Sequence, residues 1–266
     1  MTTREAARFG RLTLDDLTIE DDHSLRHVEI FGDLKDILRR DRYSFRTLPN
    51  GGSASWDRAL FLNLTFWGAS EGGDVLVDAH VPADVIAHVA WHHLAAKVLS
   101  AGPDVRPSVD ALFLGEAIAS AFDLYLVGRL LGHSPSSSFL STQVPAMADV
   151  AESAGLDEKG FDELLQGVAQ DPERAFADLR ELLSDATAAL FASEHAESAL
   201  TVLDDLASHR FGSLLHHYEL ANWVLYARAY GSIDPDPKAR AIEHSLREAA
   251  DPLRWLADAW IRPSLV

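Results

Sequence analysis

Two kinds of apolar spacing divide the chain near residue 80. Before it, short alternating or β-rich pieces (residues 11–20, 27–32, 43–48, 60–67 and 74–79) stand between turn signals such as Pro49-Asn50-Gly51-Gly52 and Glu71-Gly72-Gly73-Asp74. They predict a small antiparallel sheet with one helix around residues 34–40. From Pro82 onward the apolar period becomes helical, and Asp84 falls in a first turn, where the positive end of the helix dipole favours an acid. Helices are predicted over 83–100, 108–132, 143–154, 158–169, 171–192, 195–209, 211–230, 236–250 and 252–261. A serine-rich loop is expected at 134–138, and Asp234-Pro235-Asp236-Pro237 is a helix stop. The fold class is therefore α+β, mostly α: a β-rich portion over 1–80 feeding a helical body over 81–266, as one compact unit.

Segments 83–100 and 108–132 are apolar on nearly every face, which places them centrally. Segment 211–230 reads as similarly buried, yet it holds His216, His217 and Glu219. Polar groups in such helices need partners, because an unpaired one in an apolar interior costs roughly 2–7 kcal/mol. His88 and His92 are four residues apart, so their rings leave one helix face about 40° apart, whereas His93 is turned about 100° away from His92. On the next helix Glu116, Ser120 and Asp123 share a face at spacings of four and three. An αα-hairpin would bring that face to the histidines. Two imidazoles and a carboxylate are a transition-metal donor set, which makes His88, His92 and Glu116 candidate ligands. Asp123 then suits a carboxylate that orients a ligating imidazole or holds water.

Composition narrows the partners. Forty-one acidic against 23 basic residues give a formal charge of −18, which repels phosphate backbones and anionic bilayers, so neither nucleic acid nor a membrane is expected. A small-molecule or peptide ligand remains open. The chain has no cysteine, so any metal here has nitrogen and oxygen ligands. The N-terminus lacks the apolar core of a signal peptide, and the most apolar run, 111–131, contains Glu116, Asp123 and Arg129; a cytoplasmic protein is expected. The serines near 134–141 form no G-x-S-x-G elbow, and the glycine pairs lack phosphate-loop spacing. Trp91, between the two histidines, reads as a core residue.

The words VIAHVAWHHLAA (85–96) and LFLGEAIASAFDLYL (112–126) resemble the helix pair of gluzincin zinc peptidases, in particular the aminopeptidase N-like group. The resemblance covers residues 83–132. It implies zinc bound by His88, His92 and Glu116 and hydrolase-related chemistry. One departure matters: the general-base glutamate that follows the first histidine in that family is Val89 here. Loss of a general base typically costs roughly 10²- to 10⁴-fold, so the resemblance implies a scaffold with altered or lost peptidase activity. If the site is catalytic, Asp123 or Glu219 would stand in as base, with Tyr218 or His217 polarising a developing oxyanion. The same residues also fit a helical non-haem iron enzyme drawing a further ligand, His217 or Glu219, from segment 211–230. They fit as well a non-catalytic scaffold or interaction protein whose polar groups are simply satisfied in the core.

Overall fold

The computed structural model describes residues 9–48, 75–77, 79–100, 102 and 105–266. The predicted strand at 60–67 and both Gly-containing turns lie outside the described residues. Five short strands, β1 (Gly10–Leu12), β2 (Thr18–Glu20), β3 (Phe45–Thr47), β4 (Val75–Leu76) and β5 (His80–Pro82), make a three-stranded sheet ordered β1-β3-β4 and a two-stranded one, β2-β5. Among the described residues only the β1–β3 pair runs antiparallel. β3 with β4 and β2 with β5 are parallel, and helix α1 (Glu29–Arg40) lies in the chain between β1 and β3. The fold is α+β and mostly α.

The segment 27–32, read above as a β piece, is instead the start of α1. Phe31, Leu34, Ile37 and Leu38 are its buried residues, and their spacing is that of a helix face. The body consists of α2 (Ala83–Leu99), α3 (Val109–Leu131), α4 (Ser138–Ser153), α5 (Glu158–Gln170), α6 (Pro172–Ala192) and α7 (Ala196–Leu206), then a 3-10 segment (Gly212–Tyr218), α8 (Leu220–Tyr230) and α9 (Pro237–Glu248). A closing run, α10 (Pro252–Leu256), passes through a π turn (Ala257–Ile261) into α11 (Arg262–Leu265). Two expectations change here. Helix α4 starts earlier than predicted, because the Ser137 hydroxyl accepts the Leu140 N–H at 3.2 Å and caps a turn that buries Phe139 and Leu140. The predicted helix 211–230 is broken at Glu219, whose backbone is left-handed (φ 48°, ψ 41°).

Helix α3 is the axis of the body: nineteen of its 23 residues are buried, and α2, α4, α5, α6, α8 and α9 all pack on it. Among the described residues it is the one helix long and apolar enough to cross a bilayer, and it lies inside the protein. Its start is pinned by Ser108, whose hydroxyl accepts the Ala111 N–H (3.0 Å) and donates to Asp236 (2.8 Å), the cap of α9. Side chains of the first eighty residues, such as Leu25, Phe31 and Phe45, share one apolar core with α2, α3 and the C-terminal run. An ion pair between buried Arg180 and half-buried Glu243, at 2.5 Å, joins α6 to α9.

Two glycines let α3 approach its neighbours. A methyl group at Gly115 would stand 3.3 Å from the Ala95 side chain on α2, and one at Gly128 would stand 2.6 Å from the Val168 carbonyl on α5 and 3.1 Å from Pro172 on α6. The second contact is with backbone that cannot give way. Gly128→Ala should therefore lower stability by about 1–3 kcal/mol in urea denaturation, although alanine is the better helix former. An unchanged or raised midpoint would mean that the packing of α3 on the α5–α6 corner is looser than described.

Candidate metal centre

Helices α2 and α3 run antiparallel in contact, as the successive pairs Ala95–Gly115, His92–Glu116 and His88–Asp123 show. The facing side chains are those that share a helix face in each sequence. One ligand atom from each of His88, His92 and Glu116 lies within 4.8 Å of the other two, so this group could hold a metal ion. His92 Nε2 is 3.5 Å from Glu116 Oε2, and the two imidazoles sit edge to face with centroids 4.6 Å apart. Burial is graded across the group. The side chains of His92 and Glu116 are 3% and 10% exposed, those of His88 and Asp123 17% and 30%, so the site faces solvent on its His88–Asp123 side.

Asp123 accepts a hydrogen bond from His88 Nδ1 at 2.9 Å. A carboxylate at Nδ1 fixes the ring and the proton-bearing nitrogen, which leaves Nε2 as the lone-pair donor. The other oxygen of Asp123, Oδ1, is buried and takes no hydrogen bond from the described residues. Ser120, between Glu116 and Asp123 on the same face, is buried too. His93 turns elsewhere, as its position implies: its Nε2 bonds Asp41 at 2.7 Å, and Lys97 donates to the same carboxylate at 2.8 Å. Trp91 is fully buried against Phe122, with ring centroids 5.4 Å apart, and belongs to the core.

Residues 216–219 part company with the expectation of a buried helix. His216 and Glu219 are exposed, while His217 and Tyr218 are partly buried, their rings edge to face at 5.1 Å. Neither His217 nor Glu219 belongs to the metal-competent group found among the described residues. His217 and Tyr218 nevertheless feel the Asp123 charge. Burial holds the His217 imidazole below its usual range, opposed by Asp123 and Glu219, so it is neutral at neutral pH. Burial, reinforced by Asp123, pushes the Tyr218 phenol far up, so it keeps its proton.

Two residues of this neighbourhood escaped the sequence reading. Asp84 reads there as a helix-start acid, yet it is one helical turn before His88, so 84, 88 and 92 recur every four residues; that period was the available signal. Burial, then the nearby Asp123 charge, raises the Asp84 carboxyl to about 6, with His88 pulling the other way. Tyr226 on α8 is the second, its phenol pushed up by burial and by the charges of Tyr230 and Glu116. It carried no distinguishing spacing.

Because Asp84 is harder to ionise in the folded protein than in the unfolded chain, its contribution is fully present below the unfolded value of 3.8 and is lost as pH rises through about 6. In metal-free protein, Asp84→Asn should thus be more stable than the parent at pH 7.5, with the gain vanishing by pH 4. Melting temperatures across that range check this, and a gain independent of pH would refute the assignment.

Comparison with protein-family models, with curated proteins and with solved structures gives no match, so the site's own geometry is what bears on function.

Proposed function

We propose that this is a metal-binding protein, with zinc held by His88, His92 and Glu116 in a gluzincin-like helix pair, and with hydrolase-related chemistry that is not ordinary peptidase activity. One observation carries the reading: three donor groups from two adjacent buried helices converge, and the outermost imidazole is already oriented by a carboxylate. The donors fit a divalent cation in charge as well. Asp123 sits close to Asp84, a carboxyl already held protonated to an unusually high pH, and a cation relieves that crowding. When bound, such an ion supplies Lewis acidity and activates water near neutral pH.

The chain's own residues divide the remaining work. Asp123 positions His88, and its second oxygen, buried and without a hydrogen bond from the described residues, is the candidate base. Asp84 exchanges its proton near neutrality, as a general acid or base must. Tyr218 remains a phenol and can donate to developing negative charge, with neutral His217 beside it. Val89, at the family's base position, is fully buried in the apolar core. Peptidase chemistry through that position is therefore not what these residues serve.

A second reading rests on the same donors, since two histidines and one carboxylate also suit non-haem iron(II). Competition between the two ions separates the readings: zinc retained against equimolar iron(II) supports the first, and iron retained with new absorption bands supports the second.

Three outcomes follow. Protein loaded with zinc and dialysed should keep about one equivalent, whereas His92→Ala and Glu116→Gln should keep almost none; elemental analysis showing clearly substoichiometric metal in the parent chain would leave only a scaffold. Asp123→Asn should retain the fold but bind zinc about 10- to 100-fold more weakly in chelator competition. Val89→Glu should lose about 3 kcal/mol or more of stability and gain no peptidase activity, because its charge enters the core without a partner; a stable, peptide-hydrolysing variant would show that the position faces the site after all.

A further inference from the structure

Away from the metal centre, the end of α6, helix α7, the 3-10 segment and α8 enclose a groove of about 480 Å³. That is the size of small-molecule sites, which run from roughly 300 to 1,000 Å³. Its walls are Leu190, Leu203, Leu215, Leu220, Val224 and Leu225. Helix α7 roofs it, and none of its 11 residues is buried. Ala199 and Leu203, one turn apart, look onto the groove, while Leu200 beside them is 61% exposed. On α8 the groove takes the Ala221, Val224, Leu225 and Arg228 face, and Tyr226 points elsewhere, so this site is independent of the metal reading.

The charged groups at its rim are not balanced. Arg228 is already engaged: its Nη2 donates to the Phe191 and Ser193 carbonyls at 3.1 and 2.8 Å, and its guanidinium lies over the Phe191 ring. Glu194 and Glu219 face the groove, and Asn222 holds the Glu219 carboxylate at 2.6 Å. Two carboxylates beside an apolar trough, in a chain of charge −18, attract a cation with a greasy body. His195 and His216 complete the polar edge.

We propose that this groove binds a small molecule with an apolar body and a protonated amine head, the body under α7 and the amine between Glu194 and Glu219. The full-length protein, titrated calorimetrically with n-octylamine and with n-octanoate below their micellar concentrations, tests it. Octylamine should bind saturably and about tenfold more tightly than octanoate. The double variant Glu194→Gln, Glu219→Gln should lose that preference, and Ala199→Trp, which fills the trough, should lose both ligands while keeping its circular dichroism. Octanoate binding as well as the amine, no saturable binding, or amine binding that survives in folded Ala199→Trp would each overturn the proposal. So would self-association of the parent chain abolished by Ala199→Trp, since a second copy would then cover the groove.

Discussion

The close approach of α2 and α3 is the contact on which the site depends. Where Gly115 meets Ala95 there is room for hydrogen but hardly for a methyl group, and alanines at 87, 90, 117, 119 and 121 keep both helices slender and buried nearby. Interaxial distance follows side-chain size at the contact, so small residues bring the two backbones together. Short side chains can then bridge the gap: aspartate reaches histidine across it at 88 and 123, and glutamate reaches histidine at 92 and 116. With bulkier residues at 95 and 115 the same polar groups would be held apart and buried with poorer partners, which is costly in an apolar interior.

The parts of this arrangement visible in the sequence are those written by a long, regular period. Both central helices, and the sharing of faces by 88 with 92 and by 116 with 120 and 123, follow from 3.6 residues per turn applied to uninterrupted apolar runs. Features decided by tertiary contact were not visible. Residues 27–32 alternate enough to pass as a strand, but burial of Phe31 with Leu34 sets them as helix. Two of the three strand pairs among the described residues are parallel, a direction that no local pattern states. Nothing marks Glu219 as a breakpoint: neither glycine nor proline stands there, and a left-handed glutamate is uncommon. Asp84 was hidden by its double meaning, since an acid in a first helical turn is ordinary.

The protein's acidity is distributed with some order. Away from the site, carboxylates gather around arginines: Arg247 meets Glu181, Asp185 and Glu243, and the last of these also pairs with fully buried Arg180. Around α2 and α3 the carboxylates of residues 84, 116 and 123 face imidazoles instead. Imidazoles are neutral or charged according to circumstance, so this corner of the molecule can accept positive charge that the arginine-matched regions cannot.

The 3-10 segment from Gly212 to Tyr218 has a geometric outcome of its own. With three residues per turn, side chains three apart eclipse one another. Leu214 and Leu215, both buried, therefore carry His217 and Tyr218 inward in their own rows, while Ser213 leaves His216 in solvent. Two consecutive histidines thus enter different surroundings, His216 in solvent and His217 half-buried. An ordinary α-helical pitch through the same seven residues would turn each ring about 60° away from the leucine three residues before it, so the two would no longer eclipse.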